Sequence, residues 1–158
     1  MTTSRDDLAE LSDYAWQRLR TRLDGLTDAE YQWQPVPDRD PPFTALPWRL
    51  NHIADFLTEA RNASWLGLPA TSIERDGEPA TAVRILETLD AAYASWRALL
   101  DASTEESLAA PIGTPAGRYG GATRRSYVLH VLDELIHHGA EAALLRDLYA
   151  ARQSPPSP

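Results

Sequence analysis

Apolar residues recur along this chain at three- and four-residue steps, and no stretch alternates as a half-buried strand does. The first helix is predicted from Ser4 to Asp24, with Leu8, Leu11, Ala15, Leu19 and Leu23 on one face and Gly25 ending it. Thr27 and Glu30 have the spacing of a capping box for one short turn. Pro35, Pro37, Pro41 and Pro42 then force an extended connection. A second helix is predicted from Thr44 to Leu66, with Pro47 tolerated in its first turn. Pro79 opens the third, which lines up Val83, Leu86, Leu89, Tyr93, Trp96 and Leu100. The glycine- and proline-rich "APIGTPAGRYGGA" leads into a fourth, from Thr123 to Ala150. Residues 1–150 thus read as a single all-α domain, a four-helix bundle, and residues 151–158 as a disordered tail.

The fourth helix breaks the simple pattern of apolar inside and polar outside. His130, Asp133, Glu134, His137 and Glu141 fall within roughly a third of its circumference at about 100° per residue. Most charged helix faces are solvated. This one continues into Leu144 and Leu148, with Arg146 and Asp147 on the other side, and it holds no Arg. Those features predict that the stripe faces inward. Its residue types are those that bind hard or borderline divalent metals. Side chains at i and i+4 are neighbours, so Asp133 with His137 makes a two-point clamp, and Glu134 with His138 makes another. A firm site needs a third ligand from elsewhere. His52 is the one histidine outside this helix, stacked between Trp48 and Phe56 at four-residue steps.

Composition removes several other function classes. A net charge of −8 argues against a nucleic-acid partner. With no cysteine, disulfides and thiolate metal sites are excluded. No apolar run is long enough to span a bilayer and "MTTSRDDLAEL" has no signal-peptide pattern, so the expected location is the cytoplasm. All 15 basic residues are Arg, which with abundant Ala points to a GC-rich host. No H-E-x-x-H, nucleophile elbow or phosphate loop is present. "ELIH" matches one half of a di-iron bundle motif, and no second copy exists.

The segments "LTDAEYQWQPVP", "LPWRLNHIADF" and "LHVLDELIHHGAEAALLRDLY" together resemble the DinB-like metalloprotein superfamily, which includes thiol-dependent S-transferases and the metal-binding domain of mycothiol-dependent maleylpyruvate isomerase. The resemblance covers about Asp6 to Tyr149. It implies a bundle of up-down-down-up topology, a homodimer, and a divalent metal held by His52, Asp133 and His137, with Asp133 where the common pattern has His. The Glu134/His138 pair fits the spacing equally and is the rival register. Two imidazoles and one carboxylate suit Zn²⁺ or Ni²⁺, and Fe²⁺ also uses that set. The resemblance further implies a low-molecular-weight thiol cosubstrate, mycothiol in a GC-rich host, attacking a small electrophile in a transferase or isomerase reaction. His130 is then a candidate general base, Glu141 a residue orienting a ligand ring, Trp48 a wall of the pocket, and Tyr119 with Arg118 a grip on an acidic substrate group. Two other readings stay open. One is a non-catalytic bundle whose stripe is a buried polar network or dimer contact; the other is a hydrolase using metal-bound water.

Overall fold

The computed structural model describes residues 3–38, 44–70 and 77–153. The first helix, α1 (Ser4–Arg22), opens on a complete capping box: the Asp6 amide donates to Thr3 Oγ1 at 3.3 Å and the Thr3 amide to Asp6 Oδ2 at 3.0 Å. It stops two residues before the predicted end, and Gly25 (φ 71°) turns the chain into α2 (Asp28–Tyr31). There the Glu30 amide donates to Thr27 Oγ1 at 3.2 Å, and the Glu30 carboxylate is drawn off by Arg146 across the bundle.

The predicted helix from Thr44 to Leu66 is two helices, α3 (Leu46–Thr58) and α4 (Arg61–Trp65), with the break at Glu59 (ψ 134°). Buried Asn62 explains how a break inside the core is tolerated. Its side-chain amide donates to the carbonyls of Phe56 at 2.8 Å and Leu57 at 3.1 Å, replacing amides that a continuing helix would have supplied. Asn62 Oδ1 in turn accepts from the Tyr127 hydroxyl at 2.5 Å. Burial pushes that phenol up to about 12, against the opposing charge of Arg61.

The third long helix, α5 (Ala82–Ala102), starts after Thr81 rather than at Pro79, and Asp28 Oδ1 accepts from its first amide at 2.7 Å. Val83 is 64% exposed, and Ile85 takes the core position instead. A short α6 (Glu105–Ala109) and a 3₁₀ segment over Thr114–Tyr119 precede α7 (Arg124–Gln153), which outruns its predicted end by three residues. The rest of the predicted tail, 154–158, lies outside the described residues. Among the described residues there is no strand, only an isolated bridge between Pro111 and Thr123.

Helices α1 and α3 each pack on α5 and α7. Arg20 pairs with Asp90 at one end of the α1/α5 contact and Arg5 with Asp101 at the other, so those helices are antiparallel. Arg22 pairs with Asp147 and Arg5 bonds Glu105 near the start of α7, so α1 and α7 run the same way. Leu19, Leu50, Ile53, Leu57, Leu89, Trp96, Val128, Leu132 and Leu135 fill the centre. This close-packed centre fixes the rotation of α3 and α7, and with it the side chains they turn toward each other.

Candidate metal centre

On α3 the four-residue spacing of Trp48, His52 and Phe56 builds one aromatic row. The His52 ring stacks on Trp48 at 4.9 Å and 17°, and meets Phe56 edge-on at 5.7 Å. Opposite it, α7 presents Glu134 and His138 one turn apart. His138 is 8% exposed, and its ring stands perpendicular to that of His52 with centroids 4.6 Å apart. Glu134 Oε2 lies 3.7 Å from His52 Nε2 and 3.2 Å from His138 Nε2. The donor atoms of all three side chains lie within 4.8 Å of one another.

A further layer of contacts holds His138 in place. Its Nδ1 lies 2.7 Å from Glu141 Oε2, which also pairs with Arg49 Nη1 at 3.0 Å. Burial raises the Glu141 carboxyl, but the His138 hydrogen bond and the Arg49 charge outweigh it and hold the group below the usual carboxylate range. An ionised carboxylate only accepts, so Nδ1 donates to Glu141, and a neutral His138 ring turns its Nε2 lone pair toward Glu134. Two acceptors then face each other at 3.2 Å, with a third nitrogen close by.

That arrangement fits a cation. Ligand bonds of about 2.0–2.2 Å set 90–110° apart would place donors roughly 2.8–3.6 Å from one another; the 3.2 Å separation falls inside that range and the 3.7 Å one at its outer edge. The Nδ1–H to carboxylate bond is the support that metal-ligating histidines ordinarily have.

The structure places the predicted site residues unevenly. His52 lies against α7, and the Glu134/His138 register is the one that meets it. Asp133 is exposed, the His137 side chain is 61% exposed, and neither joins His52. His137 instead shares Glu141 with His138 on one helix, its Nε2 3.3 Å from Glu141 Oε1. The physical reason is helix phase. The buried face of α7 runs through Val131, Leu135, His138 and Ala142, and Asp133 is about 140° away from His138 on that wheel. The leucines taken as an inward continuation are surface residues: Leu144 is 57% and Leu148 47% exposed. Arg146, expected to face outward, reaches buried Glu30.

The Trp48 ring lies 6.1 Å from that of His138, edge-on to it. His130 is exposed, one turn before Glu134, and lies with Tyr119 beside a different cavity. Arg49 was not singled out from sequence. Its guanidinium lies 4.8 Å over the Trp48 ring and reaches Glu141; the only sequence signal was an Arg beside the aromatic row.

Residues 12–142 match the family model described as the DinB superfamily. The crystal structure of a conserved protein from Enterococcus faecalis is similar in fold, with a TM-score of 0.67 at 20% identity, covering 96% of this chain and 99% of that one. No curated protein matches the sequence. The match spans well over half of the chain, and the protein belongs to the DinB superfamily.

Proposed function

We propose that this DinB-superfamily protein is a divalent-metal protein whose ion is held by His52, Glu134 and His138. The observation that carries the reading is the convergence of two imidazole Nε2 atoms and one carboxylate oxygen from two helices, with both helices fixed by the core. Zn²⁺ or Ni²⁺ suits two nitrogens and one oxygen, and Fe²⁺ uses the same set.

Three protein donors leave room for a further ligand. When bound, a divalent ion acts there as a Lewis acid that acidifies a small molecule beside it. The function proposed for that capacity is a thiol-dependent transferase or isomerase reaction between a low-molecular-weight thiol and a small electrophile. The chain has no cysteine of its own, so the thiol would come from outside. The protein's residues have separate tasks in this scheme. Glu141, anchored by Arg49, holds the proton on His138 Nδ1 and keeps Nε2 available. Trp48, stacked on the His52 ring, and Phe56, meeting it edge-on, fix its orientation.

Elemental analysis of protein purified without a histidine tag tests the assignment. One ion per chain is expected in the wild type and in the Asp133→Ala/His137→Ala double variant, and none in His138→Ala. Metal lost from the double variant and kept in His138→Ala would hand the site to the other register. No metal in any of them, even after incubation with Zn²⁺ and Ni²⁺, would make the cluster a structural polar network. In the metal-loaded protein, turnover of an activated electrophile should require added thiol; turnover in thiol-free buffer would favour hydrolysis.

A further inference from the structure

A second cavity, of about 320 Å³, lies between α4, the 3₁₀ segment and the start of α7. Its walls are aromatic. Trp65 packs against Tyr127 at 4.8 Å between centroids and against Tyr119 at 6.5 Å. Among the described residues, Arg61 is the one charged side chain in its lining, in a chain whose net charge is −8. The Arg61 guanidinium lies 4.9 Å over the Trp65 ring, with Glu59 pairing at its Nε edge. The Arg118 guanidinium lies 4.7 Å over the Tyr119 ring, with Nη2 donating to the Tyr119 hydroxyl at 2.6 Å.

The wall carrying Tyr119 is a built turn. The Gly113 amide donates to the Gly120 carbonyl at 2.9 Å. A Cβ on Gly120 would come within 2.5 Å of the Gly113 carbonyl oxygen, so only glycine closes the loop this tightly. The volume is that of a small-ligand pocket. Flat aromatic faces and one lining guanidinium, whose terminal nitrogens lie beyond the Nε edge that Glu59 pairs, suit a planar apolar body carrying one negative charge.

We propose that this cavity binds a small aromatic anion, an arylcarboxylate in chemical class, with its ring against the Trp65 and Tyr119 wall and its charge on Arg61. His130 lies four residues before Glu134, about 6 Å along α7, so the bound ring would lie one turn from the metal donors. That this molecule is the electrophile of the proposed reaction rests on the metal-centre reading; the binding itself does not.

Calorimetric titration of the full-length protein with 1-naphthoate and with neutral 1-naphthamide tests the proposal. Naphthoate should bind at one site per chain, roughly tenfold or more tighter than the amide. Arg61→Gln should erase that preference, and Ala122→Leu, which fills the cavity, should weaken both ligands. His138→Ala should keep naphthoate binding whether or not the metal assignment holds. Equal affinity for the two ligands in the wild type, an unchanged preference in Arg61→Gln, or no saturable binding would overturn the proposal. So would loss of naphthoate binding in His138→Ala alone, which would put the anion on the metal centre.

Discussion

Two polar clusters sit on the same long helix, and they are built on opposite terms. Toward the C-terminus of α7, Arg146 meets buried Glu30 in a two-pronged pair, Nε to Oε1 at 2.6 Å and Nη2 to Oε2 at 3.0 Å. Its Nη1 also donates to the carbonyls of Arg22 and Asp24 at the end of α1. Every carboxylate oxygen has a donor, and the guanidinium finishes a helix terminus as well. Two turns earlier, His52, Glu134 and His138 bring two imidazole nitrogens and a carboxylate oxygen within 4.8 Å of one another. The first cluster is complete with protein atoms alone and serves the fold. The second gathers groups that a cation, a proton or a metal ion, would complete, and that difference is what the proposed metal reading rests on.

The largest effect should come from breaking the closed cluster. Arg146→Ala strands a carboxylate whose side chain is 7% exposed and should cost about 3–5 kcal/mol in chemical denaturation, with metal content unchanged. The Arg146→Ala/Glu30→Gln double variant should recover part of that loss. A cost below about 1 kcal/mol in the single variant would mean that Glu30 finds solvent.

Breaking the open cluster should behave differently. Stripping metal with a chelator should lower the wild-type melting temperature by roughly 5–10 °C, for an ion present at about 100 times its dissociation constant. His138→Ala should show no chelator response, and a response there would place the ion elsewhere. Glu134→Gln sharpens the contrast most. An amide N–H can donate to His138 Nε2, so the metal-free variant should be more stable than the metal-free wild type by about 1 kcal/mol, while stoichiometric metal is lost. A destabilised metal-free Glu134→Gln protein would show that Glu134 and His138 already satisfy each other. The smallest effects belong to the outer positions: Asp133→Asn and His137→Ala should stay within about 0.5 kcal/mol of the wild type and keep their metal.

The same contrast governs how far the sequence could be read. The three- and four-residue periodicity marked the long helices, and His52 stood out as the one histidine away from α7. Both clamps, Asp133/His137 and Glu134/His138, were equally visible, because neighbouring registers on a helix have the same spacing. Choosing between them needed the rotation of α7. The local cue for that rotation misled, since α7 continues into a stretch where Leu144 and Leu148 are half exposed. Thr27 and Glu30 show the same limit: the capping-box spacing was real, but Arg146 outcompetes the Thr27 amide for the carboxylate. Nothing local announced the break at Glu59 either, because Asn62 permits it through contacts with Phe56, Leu57 and Tyr127.

What the sequence by itself determined is the helical class, the clustering of histidines and carboxylates on the last helix, and the one histidine that stands on another helix. Those follow from local spacing and residue chemistry, which do not depend on the rest of the molecule. Only the tertiary structure decided which face of α7 turns inward, which carboxylate and histidine meet His52, and which charges lock to each other. A shift of one residue rotates a side chain by about 100°, and only the summed packing of several helices is strong enough to select among such rotations.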